Sequence, residues 1–488
     1  MTDTRFAVNR FRLTPLIQAM LLAVAGTVLI GCNGSTTGHQ TDPPLTNSPF
    51  IIGEAQPEHI FHFRLGDSVL IDTGELDFAD ASLASGAADA NSLSYSISPQ
   101  LPSGLTLDEV TGQITGTVTT LSEPTDYTIS LNTESTNSHQ NFLLGLHPAL
   151  PEALHHLDSR YSAEVLVADA KMPVRMVLAP DGRLFYNELK TGHVRVVNQQ
   201  GALLQSPFAT LEIQSVKEKG LLGLTLDPEF GSNGYLYVYA TVPGHDSEDP
   251  HAEIIRYTAS QDRAVDKTVI VDNLPVADLH NGGELLFDQS GHLFLGRGDI
   301  DDAATAQLEG SLSGLVLRYT KDGGIPSDNP YPGSAEWSRG LRNTFAMAIQ
   351  PETGDLFGAD AGPASDDKLN YLQPGKNFVW GMEDEPQGSG IGFTIRVWAE
   401  VITPTALFFH SGAGDSRFKN QLFLASYNDA TVRRMIMVGD RFTDYLRELE
   451  FAVLDPQNAL HKPLHVTEGQ NGDIYLSTFN AIYRLYLH

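Results

Sequence analysis

Cysteine occurs once in 488 residues, so no disulfide can form within the chain. Basic residues are scarce: 31 Lys and Arg stand against 60 Asp and Glu, a formal charge of -29. A surface this acidic repels phosphate backbones and anionic lipid, which excludes nucleic acid as a partner and disfavours electrostatic adsorption to membranes. After residue 30 no apolar run is long enough to span a bilayer. Extended 3.6-residue apolar periods, which an α/β fold requires, are missing as well. What remains is turn chemistry: 44 Gly and 27 Pro favour short strands joined by tight turns. The length exceeds what one compact core supports, so two or more domains are expected.

The single cysteine has a specific setting. Arg5, Arg10 and Arg12 precede an apolar run from Leu16 to Ile30, which ends in Leu29-Ile30-Gly31-Cys32. A charged start, a short apolar segment and a small residue before the cut are the layout of an export signal. This one resembles a bacterial lipoprotein signal over residues 1–31, with Cys32 as the lipidated residue. Residue 33 is Asn, not Asp, so inner-membrane retention is not indicated. The expected location is the cell envelope, at the outer membrane, facing periplasm or cell surface, with membrane contact through the lipid anchor only. Residues 32–48, small, polar and rich in Pro and Gly, then form a flexible tether.

Residues 49–147 read as short strands with turns between them. The string LPSGLTLDEVTGQITGT at 101–117 alternates Leu105 and Leu107 with polar residues, turns at Thr111-Gly112 and returns through Ile114. This is hairpin grammar. It resembles an Ig-like (cadherin-like) module of bacterial surface proteins, which implies a β-sandwich acting as a spacer.

From 155 to 488 one unit recurs: a Gly, Asn or Asp turn, an apolar or aromatic pair, then a partner strand. Its anchors are Leu184, Leu236, Leu293, Leu356, Leu422 and Ile474, spaced 52 to 66 residues apart. Strand-turn-strand content at such a period marks a β-propeller, and six instances imply six blades. The fold class is therefore all-β: a six-bladed β-propeller with an N-terminal Ig-like β-sandwich.

In a propeller, loops from several blades converge at one end of the channel, and function concentrates there. Four loop strings stand out: Glu218–Phe230 (EKGLLGLTLDPEF), the run from His280 (HNGGELLF) to Gly298-Asp299, Arg339–Asn343 (RGLRN) and Gly358–Asp367 (GADAGPASDD). Each alone reads as an ordinary turn; their order and spacing resemble the glucose/sorbosone dehydrogenase family over about residues 165–485. The resemblance implies oxidation of an aldose or related polyol with pyrroloquinoline quinone (PQQ) and Ca²⁺, and transfer of electrons to a periplasmic acceptor. It makes His280 the general base, a task that imidazole suits because its pKa lies near working pH. Arg342 and Asn343 would contact the quinone, Arg342 stabilising negative charge on it. Glu218 falls where the family has Gln or Glu near the substrate, and is counted with the cofactor contacts. The carbonyls of Gly362 and Pro363 would bind Ca²⁺, and the glycines after His280 would let a planar cofactor approach the backbone.

Blades five and six depart from the family pattern. Asn428 stands where the family has a lysine. The family's Arg-x-Arg-Asp-Val string is replaced by Lys462-Pro-Leu-His-Val466, so Lys462 and Leu464 replace two arginines and His465 an aspartate. Lys368 stands at a position used for a second calcium in some members, and Leu279 at one where some members have Asp. Cofactor contacts are thus expected at Glu218, Arg342, Asn343, Lys462 and Asn428, with fewer charged partners for PQQ carboxylates. The alternative reading is a lipid-tethered propeller that has lost PQQ and binds a glycan or a protein.

Overall fold

The computed structural model describes residues 59–72, 94–132, 137–244, 249–382 and 389–488. The signal region, Cys32 and the tether lie outside the described residues. Contacts divide the chain into two units, Met1–Ala149 and Leu150–His488. No helix among the described residues is long and apolar enough to cross a membrane.

The first unit is a sandwich of a four-stranded and a three-stranded sheet. Its hairpin forms where turn chemistry places it: Leu105–Leu107 pairs antiparallel with Ile114–Thr117. Asp108 accepts the backbone N–H of Val110 and Thr111, and Gly112 takes φ +76°, a conformation that favours glycine. Leu105 and Ile114 then join Val69, Ile129, Phe142 and Leu144 in the core between the sheets.

The second unit comprises six sheets. Their innermost strands are Pro173–Leu178, Leu221–Leu226, Leu285–Phe287, Thr344–Ile349, Pro404–Phe409 and His465–Glu468. These strands touch one another in a closed ring, the last packing on the first. Each second strand carries one of the six anchors, all 4% exposed or less. Blade six is completed by Tyr161–Ala168, which pairs with Ala481–Leu487. Leu154–Leu157 adds a fifth strand to the outer edge of blade five. Aromatic rings meet edge-on within and between blades: Phe185 meets Phe208 of its own blade and Phe230 of blade two. Each such buried ring contributes about 1.5–3 kcal/mol.

The ring's axis is filled by Arg175, which is fully buried. Its guanidinium donates to the carbonyls of Val174, Thr405 and Phe345, so blade one is bonded to blades five and four. Its Nε lies 3.3 Å from a carboxylate oxygen of Glu284 on blade three, and its fork stacks 4.1 Å above the Phe345 ring. His465 of blade six sits beside it, kept neutral by burial and by the arginine's charge. Burial also lifts the Glu284 carboxyl, to about 7, against the pull of Arg175.

A carboxyl raised in the folded state binds its proton more tightly there than in the unfolded chain. The resulting stability is present at low pH and lost as pH rises through about 7. Between about pH 5 and 7 the slope contributed by one such group is on the order of 1 kcal/mol per pH unit. Glu284→Gln is expected to flatten the fall in Tm between pH 5 and 8, measured by thermal melts across that range.

Candidate active site

The residues that start the innermost strands, and the loops before them, gather at one end of the channel. His280 lies there with φ +56°, a left-handed conformation costly for a side chain with a Cβ. Two carboxylates hold it. Glu218, from the loop entering blade two, accepts the His280 backbone N–H at 2.7 Å. Asp299 accepts from Nδ1 at 2.7 Å, with the ring 11% exposed and the carboxylate 2% exposed. The second oxygen of Asp299 takes the indole N–H of Trp380 at 2.8 Å, and the backbone N–H of Asp299 donates to the Arg342 carbonyl. With its proton fixed on Nδ1, the ring presents Nε2 as a base.

Arg342 and Asn343 are positioned through Asp360. Its two carboxylate oxygens accept their backbone N–H groups, at 3.0 Å and 2.6 Å. Burial raises the Asp360 carboxyl to about 6, opposed by those two bonds. The Asn343 side-chain carbonyl accepts from Gly282 N–H at 3.2 Å, which ties blade four to the loop carrying His280. The Arg342 guanidinium, 5.8 Å from the Trp380 ring, donates to the carbonyls of Ala361 and Gly362 at 2.9 Å and 3.0 Å. Burial raises the Glu218 carboxyl too, while the His280 N–H, His280, Arg342 and Lys190 pull it back.

The structure thus brings His280, Glu218, Arg342, Asn343 and Gly362 into one network. The two glycines after His280 have a packing reason of their own. A Cβ on Gly282 would lie 2.2 Å from the Gly296 carbonyl oxygen, and one on Gly283 2.8 Å from the Leu222 side chain. Packing within and between blades already demands both glycines.

Calcium finds a poor fit. The Gly362 carbonyl carries the Arg342 guanidinium, its N–H is spent on Asp367, and Pro363 is exposed. The carboxylate of Asp367 is spent on three backbone N–H groups, those of Gly362, Ile402 and Thr403. An organic cation, the Arg342 guanidinium, already stands on one of the two carbonyls expected to bind the metal.

The wall from blades five and six is of another kind. Lys462 is 8% exposed and donates to the Asn428 carbonyl at 2.8 Å, with its ammonium 5.8 Å from the Tyr427 ring. The Asn428 amide donates to the Val401 carbonyl at 2.8 Å. Tyr427 packs near Phe479, ring centroids 5.9 Å apart, and Leu464 is buried. Lys462 and Asn428 are therefore brought together, with the amide engaged by backbone.

Sequence reasoning assigned no role to Asp299, Asp360 or Trp380. Asp299 closes the second motif, Asp360 falls inside the fourth, and Trp380 lies in the PGKNFVWG stretch at 374–381, so each stood in marked text without a role.

A six-bladed β-propeller with a carboxylate-held histidine at its channel mouth is the class that fold and site define. The chain belongs to the glucose/sorbosone dehydrogenase family, whose description matches residues 170–486. A second family description, of an Ig domain, matches residues 77–144. The aldose sugar dehydrogenase YliI of Escherichia coli is 27% identical over 330 residues, 62% of this chain and 88% of that protein. Quinoprotein glucose dehydrogenase B of Acinetobacter calcoaceticus is 28% identical over 250 residues, 45% of this chain and 52% of its own. Among solved structures, an oxidoreductase (glucose dehydrogenase) from Thermus thermophilus superposes with TM-score 0.59 at 26% identity, covering 67% of this chain and 99% of that one.

Removing Asp360 orphans two backbone donors at once. Asp360→Ala is expected to lower the unfolding free energy by about 2 kcal/mol or more. Urea titration of variant and parent measures it.

Proposed function

We propose that this chain is a PQQ-dependent aldose dehydrogenase of the cell envelope, held by a lipid on Cys32 and passing electrons to a periplasmic acceptor. The observation that carries the reading is the 2.7 Å bond from His280 Nδ1 to buried Asp299 at the channel mouth. Asp299 fixes the tautomer and stabilises the imidazolium once Nε2 has taken the proton from the sugar's anomeric hydroxyl. PQQ, when bound, supplies the two-electron acceptor for the hydride leaving the sugar's C1. Arg342 and Asn343 offer a guanidinium and an amide to the carbonyl edge of a quinone, and the charge of Arg342 favours negative charge developing there. Lys462 offers one cation to a carboxylate on the opposite side. Glu218 holds the His280 backbone and keeps a second oxygen for a substrate hydroxyl. Trp380 and Asp299 together cover the Nδ1 side of the ring from water. No step runs through calcium, because Arg342 holds the Gly362 carbonyl.

The wall from blades five and six favours a second reading. With the Asn428 amide bound to backbone and Leu464 in place of a cation, the site has one charged partner there for a cofactor bearing three carboxylates. A propeller that has lost the quinone would be a tethered module that binds a glycan or a protein.

Reconstitution separates the two. The chain from Asn33 onward is titrated with PQQ, with and without Ca²⁺, following the quinone absorbance, and is then offered aldoses with a dye acceptor. Saturable binding and dye reduction are expected without added Ca²⁺. His280→Ala should abolish turnover, and Asp299→Asn should lower kcat by about 10²- to 10⁴-fold while leaving PQQ affinity within about threefold. No binding up to about 100 μM, an affinity near −5.5 kcal/mol, would reject the dehydrogenase and leave the binding module.

A further inference from the structure

Lys190 lies in the turn after the second strand of blade one, outside the machinery described above. Its ammonium donates to three backbone carbonyls of a single loop: Ser215 at 3.0 Å, Lys219 at 2.9 Å, and Lys217. Among the described residues no backbone N–H serves those three oxygens. The loop needs such a partner, because Lys217 takes φ +52° and its carbonyls turn inward around the lysine. Glu218 sits in the middle of this wrap, with its carboxylate on the His280 N–H. The charged groups around the cage are Glu218 and Lys219, with Lys217 and Lys219 paired outward to Asp278. Burial and Lys219 pull the Lys190 ammonium down to about 8, and Glu218 pulls it back. A charge retained against burial, with all three N–H groups on one loop, is a fixed internal cation.

We propose that Lys190 is a positioning residue for the active site: its ammonium, caged by the carbonyls of Ser215, Lys217 and Lys219, fixes the loop that presents Glu218 to His280 and to the sugar. This rests on the dehydrogenase reading for its catalytic consequence; the ordering of the loop stands apart from it. A point cation with three donors suits a three-carbonyl cage, whereas the planar fork of arginine does not match it. Loss of the cage lets Glu218 drift, and a displacement near 1 Å costs up to about 10²-fold in rate.

The test uses the PQQ-loaded chain with Lys190→Ala, Glu218→Gln and the double variant. Backbone amide exchange over 215–219 reads the loop, and kcat/KM for an aldose reads the site. Lys190→Ala is expected to speed exchange in that loop and to lower kcat/KM by about 10- to 100-fold. Added methylammonium, which fits the vacated cage, should restore both. In the Glu218→Gln background the Lys190 substitution should cost less than about threefold, since the two act as one unit. Unchanged exchange in the folded variant, additive effects, or failure of methylammonium to restore either readout would overturn the proposal. If Lys190→Ala does not fold, Lys190→Gln, which keeps two donors without the charge, takes its place. If the parent oxidises no aldose, the dehydrogenase reading fails, and exchange with and without methylammonium still decides whether Lys190 holds the loop.

Discussion

Six strand ends meeting at one axis bring backbone carbonyls together where water is scarce, and Arg175 answers them. Its rigid fork reaches carbonyls of three blades, and a lysine's single nitrogen could not serve the same spread of acceptors. The cost is a buried charge, which Glu284 offsets across the axis. Glu284 lies four residues after His280, so the grip on the axis also sets the depth at which the histidine's loop leaves the ring. The axis of the ring and the loop of His280 are thus tied by one ion pair.

Around that axis the charged side chains divide the backbone between them. Carboxylates hold N–H groups: Glu218 that of His280, Asp360 those of Arg342 and Asn343, Asp367 those of Gly362, Ile402 and Thr403. Cations hold carbonyls: Arg175 at the axis, Arg297 with Pro275 and Leu312, Lys190 with its loop, Arg342 with Ala361 and Gly362, Lys462 with Asn428. Irregular loops thereby gain fixed partners that a strand ladder would otherwise supply. A surface of strongly negative charge surrounds an interior where positive groups have structural work.

Much of this was legible in the sequence, for local reasons. The 105–117 hairpin follows from an Asx turn and one glycine, and the six blades follow from six apolar anchors, because both signals lie within a few residues. The order of His280, Arg342 and Asn343 was legible as motif. What the residues around them hold was not. Asp299 and Trp380 reach the histidine network from 19 and 100 positions along the chain, and Asp360, though inside a quoted motif, acts by clamping backbone, a role no side-chain pattern states. Arg175 reads as a polar residue in an apolar strand until five other blades surround it. The glycines after His280 were visible, but their packing, against the Gly296 carbonyl and the Leu222 side chain, was not.

Blade six joins distant parts of the polypeptide, since Tyr161–Ala168 pairs with Ala481–Leu487. On the ribosome that partner strand emerges roughly 300 residues after the strand it completes, so the ring stays open through most of synthesis. An unclosed ring holds off the cooperative native state while the polypeptide is still being made. The closing strand pair thus makes completion of the ring the last step of folding, taken only once the C-terminal strand is available.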